Sequence, residues 1–195
     1  MFYKEVSDIF RLKIPFDNIY TSVFLIKSSE GPILIDCATT AEDVDEYIIP
    51  ALRLMGYAPS DIRCLVLTHS HSDHAGGLPR LLELTPNIEI IRNAKEISKE
   101  LSVYSLPGHT LDSVGVLDKR SNTLISGDGL QGAGVDKYRC SLQSKEEYYK
   151  TLCKIKDDNE IERILFSHEY EPWLSNKAVG RQDIENCLIQ CKKYI

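Results

Sequence analysis

The sequence predicts an α/β fold in which two central sheets are flanked by helices. Apolar runs too short for helices recur along most of its length. Between them stand segments whose apolar residues return at helical spacing, and no repeat, low-complexity tract or linker divides the chain. At 195 residues it is long enough for one well-buried domain and short for two, so a single domain over residues 1–195 is expected.

The chain opens with strands. Val23-Phe24-Leu25-Ile26-Lys27 and Pro32-Ile33-Leu34-Ile35-Asp36 flank Ser28-Ser29-Glu30-Gly31, the pattern of a β-hairpin. From Glu42, Val44, Tyr47, Ile48, Ala51, Leu52 and Met55 share one helical face, Thr40 and Asp43 form a capping-box pair ahead of them, and Gly56 ends the helix. Ile62 to Thr68 is a continuous apolar run, read as a buried strand. A short helix is expected from Gly77 to Leu84, a strand at Ile88 to Ile91, a brief helix near Ala94 to Lys99 and a strand at Ser102 to Leu106. Strands at Ser113 to Leu117 and Thr123 to Ser126 follow. Ser144-Lys145-Glu146-Glu147 is a second capping signal, ahead of a stripe of Tyr148, Thr151, Leu152 and Ile155. Ile161 to Phe166 reads as a strand, and Ile184, Cys187, Leu188 and Cys191 mark a last helix.

Hydrophobic residues at 43% and charged residues at 27% exclude a disordered or fibrous chain. The formal charge of −6 includes no basic run beyond Lys192-Lys193, which argues against a nucleic-acid partner. That charge counts Asp73 and Asp128, so divalent cations bound there would reverse the local potential, and an anionic substrate stays open. Ser7-Asp8 interrupts the N-terminal segment before any signal-like apolar core, and no run is long enough to span a bilayer, so no membrane association is expected. Of the six cysteines, Cys37 and Cys64 sit in strand-like runs and Cys153, Cys187 and Cys191 in predicted helices. They read as reduced thiols, with a cytoplasmic location.

Thr68-His69-Ser70-His71-Ser72-Asp73-His74-Ala75-Gly76-Gly77 puts three imidazoles and a carboxylate within six residues, directly after a buried strand. Neutral imidazole nitrogen and carboxylate oxygen are donors that Zn²⁺ and similar metals prefer. Alternation turns His69 and His71 the same way, and the turn beyond them can aim Asp73 and His74 at a second position. The other two of the five histidines, His109 in Leu106-Pro107-Gly108-His109-Thr110 and His168 in Phe166-Ser167-His168-Glu169-Tyr170, each follow a predicted strand. Alone, either has many uses. Asp128 closes Leu124-Ile125-Ser126-Gly127-Asp128, where an isolated aspartate would read as a turn residue.

Taken together, these segments resemble the metallo-β-lactamase superfamily, whose signature is His-x-His-x-Asp-His after a strand, then a later His, an Asp and a last His. The resemblance runs from the early strands to His168 and implies an αββα four-layer sandwich. It also implies that His69, His71 and His109 hold one metal, that Asp73, His74 and His168 hold another, and that Asp128 bridges them. Asp36 matches the family's early strand-end aspartate, expected to support the ligand loop from behind without touching metal. Within the superfamily the chain resembles the glyoxalase II branch, the hydroxyacylglutathione hydrolases, through Asp17-Asn18, Pro107-Gly108-His109-Thr110, Ser126-Gly127-Asp128-Gly129-Leu130 and His168-Glu169-Tyr170. Asp128 stands where the best-known β-lactamases carry a cysteine, which argues against antibiotic hydrolysis. Two departures stand out. Ser167 replaces a usual glycine, and the 27 residues after His168 are too few for that branch's helical glutathione-binding domain.

The resemblance implies two divalent ions, Zn first and Fe or Mn as substitutes, sharing a water whose pKa falls from about 15.7 to roughly 7 on coordination. The resulting hydroxide would attack a carbonyl, with Asp73, His74 and Asp128 as the expected catalytic set and Asp73 orienting the nucleophile. All five histidines being engaged, none is left to protonate a leaving amine, so a small-molecule thioester, ester or lactone is favoured over an amide. The glycine-bearing segment Gly129 to Arg139 reads as a specificity loop. Lys137 and Tyr138 in it, and Tyr170 beside His168, resemble substrate contacts of the glyoxalase branch. Two rivals remain: a mononuclear-iron sulfur dioxygenase acting on a persulfide, and a non-catalytic metal-binding or redox-sensing module.

Overall fold

The computed structural model describes residues 1–130, 142–169, 175–193 and 195. The chain divides into two compact units, Met1–Arg92 and Asn93–Ile195, each built on a six-stranded mixed sheet with helices. The α/β class expected from the sequence is therefore the one observed.

In the first unit the strands β1 (Tyr3–Val6), β2 (Ile9–Phe16), β3 (Ile19–Ile26), β4 (Ile33–Ile35), β5 (Cys64–Val66) and β6 (Glu89–Ile91) lie side by side in sequence order. β1 to β4 run antiparallel, and the expected hairpin is β3–β4, with Phe24 opposite Ile35 and Ile26 opposite Ile33. β4, β5 and β6 are parallel. Parallel neighbours need crossovers, and helices supply them. The first crossover begins with α1 (Ala41–Asp43), runs through a π-helical segment at Val44–Ile48 and ends in α2 (Ile49–Leu54). Its capping box is present: the Thr40 hydroxyl accepts from the Asp43 N–H at 3.1 Å and the Asp43 carboxylate accepts from the Thr40 N–H at 3.0 Å. Helical spacing alone does not reveal the π segment. Pro50 gives its physical reason, because a proline in an α-helix lacks the N–H and crowds the carbonyl four residues back, and a wider turn relieves both. The second crossover carries α3 (Ser72–Ala75) and α4 (Leu78–Leu84). Leu12, Ile14, Val23, Leu25, Leu34 and Leu65 on one face of the sheet pack with Val44, Ile48, Leu52 and Leu81 of the crossovers. The strand alternation and the helical stripe thus meet in one core.

The second unit's sheet has the order β12-β11-β10-β9-β8-β7. Its strands are β7 (Lys95–Glu96), β8 (Leu101–Ser105), β9 (Val114–Asp118), β10 (Thr123–Gly127), β11 (Arg163–Phe166) and β12 (Lys177–Val179). All neighbours are antiparallel except β10 and β11, which are joined through α5 (Lys145–Asp157). The brief helix expected near Ala94 to Lys99 is absent. Lys95 and Glu96 instead pair with Val103 and Ser102, and the Ser98 hydroxyl accepts from the Glu100 and Leu101 N–H groups to make the turn. Six residues cannot nucleate a helix alone, whereas the edge of β8 offers ready partners. Tyr148, Leu152 and Ile155 of α5 and Ile184, Leu188 and Cys191 of α6 (Arg181–Lys192) share a buried core with Leu117, Leu124, Ile164 and Phe166. No helix among the described residues is long and apolar enough to cross a membrane.

The capping box fixes where the first crossover starts, and replacing a capping hydroxyl costs about 1 kcal/mol. Thr40→Ala should therefore lower the unfolding free energy by about that amount in a denaturant titration. An unchanged midpoint would show that the cap does not stabilise the native helix.

Candidate functional site

In the first unit the chemistry gathers just beyond the carboxyl ends of β4 and β5, where parallel strands leave their next residues side by side. Asp36 follows β4 and Thr68 follows β5 by two residues. Asp36 is fully buried and takes a left-handed backbone conformation at φ 62°, which aspartate tolerates better than most residues. One carboxylate oxygen accepts from the Thr68 N–H at 2.8 Å; the other accepts from the Thr68 hydroxyl at 2.8 Å and lies 2.7 Å from His74 Nδ1. An ionised Asp36 therefore places the His74 proton on Nδ1 and leaves Nε2 with a lone pair. Thr68 extends the same logic: its proton is given to Asp36, so its oxygen, 3.1 Å from His69 Nδ1, accepts from that ring. His69 Nε2 is likewise left as a donor of electrons.

His71 caps α3 with an extended backbone, and the helix that follows carries Asp73 and His74 on its single turn. The His69 and His71 rings meet edge to face at 4.6 Å, as their alternation predicts, and His69 and His74 lie 4.2 Å apart. His69, Asp73 and His74 are buried and His71 is exposed. His74 Nε2 lies 3.3 Å from an Asp73 oxygen. A buried ring thus faces a carboxylate on each side, and a cation between Nε2 and Asp73 satisfies both without a second ring proton. The histidine loop is held against the chain before it. Cys37 donates its N–H to the His74 carbonyl at 2.8 Å, and Gly77 donates to Ala38 at 3.2 Å. A Cβ on Gly76 would fall 1.9 Å from the Thr39 oxygen and one on Gly77 2.1 Å from the Cys37 oxygen, so this approach requires both glycines. Burial, and then the charge of Asp36, pushes the Cys37 thiol far up; it stays protonated and points at the His74 carbonyl.

In the second unit the same principle operates at β10 and β11, the parallel pair that delivers Asp128 and His168. An Asp128 oxygen lies 3.3 Å from His168 Nε2, and its other oxygen 3.8 Å from His109 Nε2. All three side chains are nearly inaccessible. His109 stands in the loop between β8 and β9, where Gly108 has φ +142°; a Cβ there would lie 2.5 Å from Tyr148 Cα, so the loop is seated on α5. Lys137, Tyr138 and Tyr170 lie outside the described residues.

Each of the seven predicted ligands, His69, His71, Asp73, His74, His109, Asp128 and His168, belongs to a group of His and Asp side chains that could hold a metal ion. Asp36 belongs to neither group; it acts through Thr68 and His74. Sequence reasoning missed Thr68. Its one signal is a hydroxyl at the end of an otherwise apolar run, immediately before His69.

Because Asp36 sets the orientation of His74, Asp36→Ala should lower metal affinity by roughly 10-fold to 100-fold while leaving the ligands themselves in place. A competition titration giving the wild-type affinity would remove Asp36 from that role.

The sequence profile of the metallo-beta-lactamase superfamily matches residues 17–100. The chain is similar to a hydroxyacylglutathione hydrolase of Prochlorococcus marinus, 25% identical over 100% of this chain and 84% of that protein. A hydroxyacylglutathione hydrolase of Vibrio cholerae is 26% identical over 80% of this chain and 63% of its own length. Among solved structures, the metallo-beta-lactamase FIM-1 from Pseudomonas aeruginosa in its mono-zinc form superposes with a TM-score of 0.76 at 17% identity, covering 100% of this chain and 95% of that one. That likeness is one of fold. Residues 17–100 thus match the profile of the metallo-β-lactamase superfamily, and the chain is similar in fold to solved metallo-β-lactamases.

Proposed function

We propose that this protein is a metal-dependent hydrolase that cleaves a small-molecule thioester, ester or lactone at a site holding two divalent ions. The observation that carries the reading is His74, a fully buried imidazole fixed at Nδ1 by Asp36 and facing the Asp73 carboxylate with Nε2. That is how a ligating histidine is held, and a core histidine needs no second carboxylate. His69, His71 and His109 would hold one ion and Asp73, His74 and His168 the other, with Asp128 serving both. Within each unit, His74 Nε2 beside Asp73 and His168 Nε2 beside Asp128 support the reading of these side chains as metal donors. Zinc suits such nitrogen and oxygen donors, and iron or manganese also fit them.

When bound, the ions supply Lewis acidity and bring the pKa of water from about 15.7 to roughly 7. The chain's own residues do the rest. Asp36 and Thr68 keep His74 and His69 in the tautomers that leave Nε2 basic. Asp73 accepts a hydrogen bond from the attacking water and orients it. With all five histidines engaged, no imidazole remains to protonate a leaving amine, which favours a leaving thiolate or alkoxide of modest basicity. The similarity to hydroxyacylglutathione hydrolases points to an acyl-thioester first. Lys137, Tyr138 and Tyr170 would contact the part of the substrate remote from the carbonyl.

A panel of acyl-thioesters, lactones and phosphodiesters offered to metal-loaded protein tests the substrate class: thioester turnover without oxygen uptake is expected. One iron per chain with oxygen consumption would make the protein a dioxygenase instead. His71→Ala and Asp128→Asn should each lower metal content and turnover together, because each removes a metal donor. Full two-metal occupancy in Asp128→Asn would exclude the bridging role. Lys137→Ala should raise KM for a carboxylate-bearing thioester more than for a neutral one, since it removes binding energy remote from the reacting carbonyl. Equal changes for both substrates would leave Lys137 without a part in binding.

A further inference from the structure

We propose that Gln143 is a positioning residue for His109: its main-chain N–H and its side-chain carbonyl clamp the loop carrying His109 to the start of α5. The proposal rests on the reading of His109 as a metal ligand. The loop from Leu106 to Ser113 is closed on itself by Leu106 N–H to Ser113 O at 2.9 Å, Gly108 N–H to Thr110 O at 3.0 Å and Thr110 N–H to Ser113 Oγ at 3.2 Å. Those bonds give the loop its shape. It is attached to the residues just ahead of α5 and to the middle of that helix. Ser144 donates its N–H to Gly108 O at 3.1 Å, Gln143 donates its N–H to His109 O at 3.2 Å, and Thr151 donates its hydroxyl to Pro107 O at 2.7 Å. The Gln143 side-chain carbonyl then accepts from the Leu111 N–H at 2.9 Å.

Gln143 thus holds the chain on both sides of the His109 side chain, at residue 109 itself and two residues beyond. Its main-chain bond survives any substitution except proline, so the side-chain bond is the part that the residue type decides. Only an acceptor of that reach can make it: glutamate keeps the oxygen, and methionine keeps the length without a comparable acceptor. Gln143 and Leu111 are both exposed, so this bond contributes little to the core and its removal leaves the fold intact. What it restrains is the rotation of the loop about His109. A ligand free to swing must be ordered when the ion binds, and that ordering opposes binding.

The test is a Zn²⁺ competition titration of the full chain against a chromophoric chelator, with thermal unfolding of the metal-free protein measured alongside. Gln143→Met should weaken Zn²⁺ binding by about 10-fold, the lower end of what partners behind a metal ligand are worth. Gln143→Glu should bind as tightly as the wild type. Wild-type affinity in Gln143→Met, with or without a lower unfolding temperature, overturns the proposal, and so does an equal loss in both variants. His109→Ala separates this proposal from the reading beneath it. Unchanged Zn²⁺ content in that variant would remove His109 as a ligand altogether. Loss of Zn²⁺ in His109→Ala beside wild-type binding in Gln143→Met would overturn the clamp alone.

Discussion

The carboxylate of Asp36 is the group on which the arrangement of the first unit depends. It is wholly buried, and a buried carboxylate is costly unless every lone pair is used. Here one oxygen is taken by the Thr68 N–H and the other by the Thr68 hydroxyl and the His74 ring. The same contacts join the ends of two parallel strands, fix the tautomer of His74 directly and fix that of His69 through Thr68. A single charge thus converts sheet geometry into imidazole orientation. The left-handed backbone of Asp36 and of Ala38 belongs to this arrangement, since each costs about 1 to 2 kcal/mol and persists only where its surroundings hold it. Main-chain bonds between the segment from Cys37 to Ala38 and the segment from His74 to Gly77 do that holding.

Both units solve one problem in the same way. Residues that bear chemistry follow the carboxyl ends of parallel strands, β4 and β5 in the first unit and β10 and β11 in the second. Glycine then lets the neighbouring backbone close in. Gly76 and Gly77 allow the chain after β4 to lie on the histidine loop, and Gly108 lets the loop of His109 rest on Tyr148. In each case a methyl group would collide with backbone atoms, so these glycines are set by packing density around the His and Asp side chains, and at Gly108 by its positive φ as well.

Much of this was legible in the sequence because it is written locally. The capping box at Thr40, the apolar stripe of α5 and the run entering β5 each depend on residues within a turn or two of one another, and each appears in the structure; at Ser144 the hydroxyl caps the Glu147 N–H without the reciprocal bond of a box. The histidine motif is equally local. What escaped depends on partners distant in sequence or on backbone detail. Thr68 and Asp36 are 32 residues apart, as are Leu111 and Gln143, and nothing in the composition of either pair announces the contact. The segment at Lys95–Glu96 follows the edge of β8 against its own weak helical preference. The π segment before Pro50 hides within an unbroken apolar stripe, where Ile49 is buried beside Ile48.

The chemistry follows from which groups remain basic. Imidazoles whose Nδ1 is engaged present Nε2 to a cation, and buried carboxylates beside them supply oxygen donors, a combination suited to borderline divalent metals. Under the proposed reading, hydrolysis needs two such ions. That requirement is tested most directly by titrating Zn²⁺ into metal-free protein while following hydrolysis of an acyl-thioester. No turnover is expected without metal, and activity should rise until two equivalents per chain are bound. Full turnover in metal-free protein, or a plateau at one equivalent, would contradict the reading.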